Sequence, residues 1–141
     1  MNDRNIAGGL VSLLDALHEQ LPGTEGAILL SADGLELALS TGTSPQRADQ
    51  LAAVSAALHA LADATNRNNG GRRVDQTVVE MDYRMLVIVP VTGETLLAVV
   101  FDAVNDLSGI RERIAAFADR IGLRLAEVDL SRHTPDLVPL P

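Results

Sequence analysis

The stretch Arg72–Asp102, RRVDQTVVEMDYRMLVIVPVTGETLLAVVFD, decides the fold of this chain. Its β-branched and apolar runs predict three strands, over Val74–Met81, Arg84–Val91 and Thr95–Phe101. Only short, turn-like segments separate these runs, so the strands are predicted to be antiparallel neighbours. The second and third strands are apolar on both faces and therefore need cover on both sides of the sheet.

The first of these strands is more polar than the other two. Asp75, Gln76, Thr77 and Glu80 interrupt its apolar positions, which is typical of a strand at the edge of a sheet. Such an edge must be capped, charged or paired with another chain, because its outer backbone groups have no partner. The functional interpretation depends on which of these applies.

Composition restricts the class of protein. A chain of 141 residues with 47% hydrophobic residues is predicted to form one globular domain. It has no cysteine for disulfides or metal ligation, and no apolar run long enough for a membrane span or a signal sequence. The formal charge of −8 argues against nucleic acid and anionic membranes as partners. We therefore expect a cytoplasmic protein with no direct membrane insertion.

The residues before this stretch predict a helix and a strand hairpin. Apolar residues at helical spacing predict a first helix over residues 5–21, which Pro22-Gly23 ends. Strands are predicted over Glu25–Ser31 and Leu35–Ser40, joined by a turn at Asp33-Gly34. The second of these strands alternates apolar and polar residues and is predicted to form the other edge of the sheet.

After the meander, the pattern predicts a third helix and a tail. Asn105 or Asp106 caps this helix and Gly122 ends it. The domain is thus predicted over residues 1–130, and the segment 131–141, which contains three prolines, is predicted to be a disordered tail. The predicted order is α-β-β-α-β-β-β-α. It describes a single α/β domain whose five-stranded antiparallel sheet lies between two helices on one face and one on the other.

The second helix has two faces, one with large side chains and one with small side chains. Ser44 is its predicted N-cap, Pro45 its first residue, and it runs to about Asn66. An apolar stripe that fits packing on the sheet comprises Leu51, Val54, Leu58, Leu61 and Thr65. A face of small residues beside it comprises Ala53, Ala56, Ala57, Ala60 and Ala64. Small residues let another helix approach closely, and no other helix of the chain is left to cover this face, so it predicts a contact between subunits.

The sequence contains no motif that carries catalytic chemistry. A phosphate-binding P-loop requires Lys after its glycines, and this chain has no Lys. The three histidines have no partner at metal-ligand spacing, and there is no G-x-S-x-G motif. The loop that contains Gly70-Gly71 and Arg72-Arg73 offers either an anion cradle or, more simply, a solvated connection. We expect no enzymatic activity, no cofactor and no metal site, and a protein that works through its surfaces.

The chain resembles the roadblock (dynein light chain) family over residues 8–125, and in particular its actinobacterial members found beside small GTPases and sensor kinases. The resemblance rests on Leu21-Pro22-Gly23, on the turn sequence SADGL at 31–35, and on the strand TVVEM at 77–81. The turn at Asp82-Tyr83 departs from the family pattern, in which glycine is more usual.

The resemblance implies a fold related to profilin and longin domains and a homodimer. Family members pair their third strands across a two-fold axis and pack their second helices together, which makes one ten-stranded sheet. Carried over to this chain, the dimer interface would comprise Ala53, Ala56, Ala57, Ala60, Ala64, Val74, Gln76, Val78 and Glu80. The family dimer binds Ras-like small GTPases, and Arg72 and Arg73 are the candidate contacts, including an arginine finger.

The expected function is therefore that of a non-enzymatic homodimeric regulator or scaffold. It would bind a Ras-like small GTPase and modulate its nucleotide cycle or localisation. One alternative is a small-molecule sensor with a pocket between helix and sheet, for which Ser12, Ser55 and Thr77 are the few polar candidates. Another is a structural adaptor that tethers a sensor kinase complex.

Overall fold

The computed structural model of the protein describes residues 3–102 and 108–137. Its element order confirms the predicted α-β-β-α-β-β-β-α. The elements are α1 (Asp3–Gln20), β1 (Thr24–Ser31), β2 (Glu36–Leu39), α2 (Pro45–Asn68), β3 (Thr77–Glu80), β4 (Arg84–Pro90), β5 (Thr95–Asp102) and α3 (Ile110–Leu137). The strands form one antiparallel sheet in the order β2-β1-β5-β4-β3. β2 and β3 are therefore its two edges, as the sequence predicts.

The central strands are covered on both faces, which explains why they are apolar throughout. Val87 of β4 and Val99 of β5 belong to the core that the sheet forms with α1 and α3. Ile88 and Ala98, the next residue of β4 and the preceding residue of β5, belong to the second core, under α2. Burial of a large aliphatic side chain such as Val or Ile contributes ~1.5–3 kcal/mol to the stability of the fold. The two cores therefore hold the helices on the sheet.

β3 is shorter than predicted at its N-terminal end. The predicted strand starts at Val74, but pairing with β4 begins only where Thr77 lies opposite Ile88. Continuing this register would place Asp75 opposite Pro90, which has no N–H to donate. The residues just before Thr77 therefore have no strand partner among the residues that the structure describes.

The β3–β4 hairpin closes without glycine. The backbone N–H of Met81 donates to the carbonyl of Arg84 at 2.8 Å, across Asp82 and Tyr83. Neither turn residue has a positive φ, whereas Gly34 in the β1–β2 turn has a φ of 97°. The departure from the family pattern at this turn thus leaves the hairpin intact.

The edge strand β2 does not follow the predicted alternation. Its pairing with β1 contains a register shift, and the side chains of Leu35 and Leu37 are exposed. Ala38 and Ser40 are buried in their place. A bulge of this kind re-aims the side chains that follow it, which a strictly alternating pattern does not anticipate.

α3 continues past Gly122, which was wrongly predicted to end it. A Cβ atom at this position would lie 3.3 Å from the carbonyl oxygen of Val91, so the glycine permits close packing of the helix on the β4–β5 turn. The helix extends to Leu137 and so enters the segment predicted to be disordered. The predicted N-cap at Asn105 or Asp106 lies outside the described residues, as do residues 138–141.

Candidate protein-interaction surface

α2 begins and ends as its sequence predicts. The hydroxyl of Ser44 accepts the N–H of Arg47 at 3.2 Å, and Pro45 occupies the first turn. Gly70 follows the last turn with a φ of 86°, a conformation that favours glycine. Both ends of the helix are therefore fixed by local sequence, which sets its position over the sheet.

The faces of α2 are rotated relative to the prediction. The residues buried against the sheet are mostly small and comprise Ala48, Leu51, Ala52, Ser55 and Ala56. Of the predicted apolar stripe, only Leu51 is buried and Leu58 partly so. The side chains of Val54 and Leu61 are 51% and 68% exposed. Small inner residues let the α2 backbone lie close to the sheet, and the larger side chains are left outside.

Four of the five predicted interface alanines lie on the outer surface of α2. Ala53, Ala57, Ala60 and Ala64 are exposed. Ala56 is buried instead and belongs to the core under the helix. Its Cβ lies only 3.8 Å from the position that a Cβ at Gly34 of the β1–β2 turn would occupy. Ala56 therefore offers little surface to a second subunit, and its place in the interface stays a prediction.

The exposed apolar residues of α2 lie on the flank that faces the β3 edge. Leu61 and Thr65 line a groove whose other wall is formed by Arg73, Val74 and Asp75. Val54 precedes Leu61 by seven residues, almost two full turns, and so lies on the same side of the helix. The flank and the strand edge thus adjoin and form one continuous surface, which sequence reasoning missed because it assigned Val54 and Leu61 to the sheet.

Two of the predicted edge residues of β3, Gln76 and Val78, lie towards the face of the sheet that α1 and α3 cover. Val78 packs against the core under α1 and α3, and Glu80 is exposed. Gln76 is already engaged within the chain, because its side-chain oxygen accepts Arg111 Nε at 2.9 Å. Its amide nitrogen also lies 3.4 Å from the carbonyl of the same arginine. What β3 offers to a partner is therefore chiefly its backbone edge, with Val74 half-buried beside it.

Two further apolar side chains protrude at the β3–β4 hairpin. Tyr83 is 73% exposed and Met81 is exposed beside it. Sequence reasoning treated this segment only as a turn. An available signal was the composition of the turn itself, since Tyr83 is the only tyrosine of the chain and occupies a position where polar residues or glycine are usual.

The charged groups around this surface are solvent-exposed. Arg72 and Arg73 are both exposed, and Arg73 Nε lies 3.2 Å from Asp75 Oδ1. Such a pair contributes little to stability. Near the hairpin, Arg84 Nε donates to Glu25 Oε2 at 2.6 Å. This hydrogen bond, together with the negative charge of Glu25, raises the pKa of Arg84.

A serine and a histidine come together elsewhere in the fold, at a place that the sequence did not indicate. His18 Nδ1 lies 3.0 Å from Ser40 Oγ, which lies 2.7 Å from Thr43 Oγ1. Thr43 in turn accepts the backbone N–H of Ala27 at 3.2 Å. Ser40 is completely buried, so its hydroxyl has no access to a substrate. The chain of hydroxyls instead ties α1 to the loop that leads into α2.

Two of the polar residues predicted for a small-molecule site, Ser55 and Thr77, lie away from the depressions at the β3 edge. Ser55 Oγ and Thr77 Oγ1 are buried without a hydrogen-bond partner, but they line neither the groove beside α2 nor the depression at the β3–β4 hairpin. No three His, Asp or Glu side chains within the described ranges are arranged to hold a metal ion. In the same part of the chain, no helix is long and apolar enough to cross a membrane.

The fold and the surface together define an α/β domain with an unpaired strand edge beside an apolar helix flank. Residues 10–101 match the sequence profile of the Roadblock/LC7 domain, and the chain belongs to this family. No functionally curated protein matches the chain.

Solved structures agree with this assignment. A Roadblock/LC7 domain from Streptomyces avermitilis is 30% identical, with a TM-score of 0.76, over 82% of this chain and 96% of that chain. The gliding protein MglB of Thermus thermophilus is 20% identical, with a TM-score of 0.77, over 86% of this chain and 92% of its own. Profilin II of Acanthamoeba castellanii is 19% identical, with a TM-score of 0.57, over 79% of this chain and 96% of its own. The predicted relation to the profilin fold is thereby confirmed.

Proposed function

We propose that this protein is a non-enzymatic, cytoplasmic homodimer that binds a Ras-like small GTPase and modulates its nucleotide cycle or localisation. The observation that carries the proposal is the unpaired β3 edge beside the exposed Val54 and Leu61, in a chain of the Roadblock/LC7 family. Members of this family are generally regulatory, and the serine of the contact between His18 and Ser40 is completely buried.

The dimer would form by antiparallel pairing of β3 with its copy and by packing of the two α2 flanks. This arrangement would supply partners for the outer backbone groups of β3 and remove Val54 and Leu61 from water. An isologous interface of standard size, ~1,600 Å² in total, is the expectation. The outward-facing alanines, among them Ala57 and Ala60, would then border the interface and leave a smooth helical surface on the dimer.

Regulation would follow from preferential binding to one state of the GTPase. A partner that holds the switch segments in one conformation raises the population of that conformation in proportion to its differential affinity. Arg72 and Arg73 are exposed on the loop after α2 and are the candidates for an arginine finger that reaches a bound nucleotide. A scaffold that only tethers the GTPase or a sensor kinase would bind without altering hydrolysis or exchange.

The test combines the mass of the protein in solution with the capture of its binding partner. Light scattering gives the mass of the wild type and of Leu61→Glu, which places a charge on the flank of α2 and should yield a folded monomer. Both forms are then immobilised and exposed to lysate of the source cells supplied with GDP or with a non-hydrolysable GTP analogue. Mass spectrometry should identify a small GTPase retained by the wild type in a nucleotide-dependent manner. Retention of no small GTPase in either nucleotide state refutes the proposal.

A further inference from the structure

The β3 edge carries a groove at one end and a protrusion at the other. The groove, of about 640 Å³, lies between α2 and the segment before β3 and is lined by Leu61, Thr65, Asn69 and residues 73–75, among others. The protrusion is the β3–β4 hairpin, where Met81 and Tyr83 are exposed. An antiparallel partner strand would bring the protrusion of one protomer towards the groove of the other.

Symmetry restricts how two copies of β3 can pair. Residues that lie opposite each other in an antiparallel ladder point to the same face of the sheet, and neighbouring residues point to opposite faces. A two-fold axis normal to the sheet keeps both α2 helices on one side, so every pair must join residues of equal parity. One residue must then lie opposite its own copy. In the middle of β3 this residue is Val78 or Val79.

Both registers place the hairpin of one protomer beside the segment that precedes β3 in the other. Met81 is the last residue before the β3–β4 turn. It lies opposite Asp75 of the partner with Val78 on the axis, and opposite Thr77 of the partner with Val79 on the axis. Tyr83 follows in the turn and therefore lies towards the residues that precede β3 in the partner. Arg73 and Asp75 both line the groove, and the described chain provides no strand partner for either residue. We propose, on the basis of the proposed homodimer, that Tyr83 of each protomer inserts into the groove between α2 and residues 73–75 of its partner.

The chemistry of the groove suits a tyrosine. Leu61 and Val74 provide apolar contact for the ring, and Thr65 and Asn69 provide polar groups for the phenol hydroxyl. The guanidinium of Arg73 is exposed and can lie over the face of the ring. Tyr83 is 73% exposed in the single chain, and it belongs to the hairpin that the pairing brings to this groove.

The chain supplies its own probe for this contact. Tyr83 is the only tyrosine and there is no tryptophan, so the intrinsic fluorescence above the phenylalanine background reports on this residue alone. Acrylamide quenching of that fluorescence is measured across a dilution series, and the mass of the same samples is measured by light scattering. The expected result is a quenching constant severalfold lower in the dimer than in the diluted monomer, which should approach the value for N-acetyltyrosinamide.

The two measurements separate failure of this inference from failure of the proposed function. A monomer at every concentration overturns both the homodimer and the insertion of Tyr83. A dimer whose Tyr83 is quenched as readily as N-acetyltyrosinamide overturns the insertion alone. If dilution does not dissociate the dimer, Leu61→Glu provides the monomeric reference. Tyr83→Ala should weaken dimerisation by at least tenfold while Tyr83→Phe retains most of the affinity, and equal affinity for wild type and Tyr83→Ala contradicts the inference.

Discussion

Leu61→Ala should weaken the proposed dimer without destabilising the fold. The side chain of Leu61 is 68% exposed in the single chain, so its truncation removes little from the core. Full burial of a leucine contributes ~2 kcal/mol, and burying the exposed 68% would contribute ~1.4 kcal/mol per protomer. The two-fold axis doubles this to ~2.7 kcal/mol, which corresponds to a roughly 100-fold increase in Kd.

Leu123→Ala provides the matched control for this prediction. Leu123 on α3 is 69% exposed, so the substitution removes the same atoms at the same exposure but from a helix that covers the opposite face of the sheet from α2. Sedimentation equilibrium gives the Kd of wild type and both variants, and urea denaturation gives their free energies of unfolding at a concentration at which all are monomeric. Both variants should unfold within ~0.5 kcal/mol of the wild type. Equal dimer affinities for Leu61→Ala and Leu123→Ala would refute the assignment of the α2 flank to the interface.

Three further substitutions test other parts of the reasoning. Thr43→Val leaves the buried N–H of Ala27 without its acceptor and should lower the free energy of unfolding, measured by urea denaturation, by ~1–3 kcal/mol. Thr43→Ser keeps the hydroxyl and should retain most of the wild-type stability. Gly34→Ala forces a side chain into a φ of 97° and should lower the melting temperature by about 2–8 °C, and an unchanged Tm contradicts the strain argument. If Arg72 or Arg73 acts as an arginine finger, its replacement by Ala should reduce stimulated GTP hydrolysis by ~10³-fold in a single-turnover assay, and unchanged hydrolysis favours tethering.

Sequence alone predicted the sheet because its signals are local. Two strands are apolar on both faces, and Asp33-Gly34 is a strong turn signal. Together they leave few alternatives to an antiparallel sheet with helices on both sides. The start of β3 was not predictable in the same way, because it depends on a residue of another strand. A continued ladder would place Asp75 opposite Pro90, and this becomes visible only once the register of β3 and β4 is known.

The orientation of α2 was missed for a different physical reason. A helix with both a Leu/Val stripe and an Ala stripe can place either one against a sheet, and the periodicity of the two patterns is the same. The choice depends on how closely the helix axis approaches the strands. Here the side chains against the sheet are those of Ala52, Ser55 and Ala56. Because they are small, the helix axis lies close to the strands, and Val54 and Leu61 remain at the surface. The contact of His18 with Ser40 was equally hidden, since it joins elements 22 residues apart.

The two edges of the sheet differ in a way that would determine where pairing occurs in the proposed homodimer and where it stops. β2 is short, and its register shift bends the edge away from a regular ladder, which protects it from a second strand. β3 is equally short, but it is preceded by a segment without a strand partner and adjoins the apolar flank of α2. Pairing through β3 about a two-fold axis uses the same edge of both protomers, so the assembly closes at two. The outer edges of the resulting sheet are then the two copies of β2. The bulge in each copy makes it unsuited to pair with a further strand.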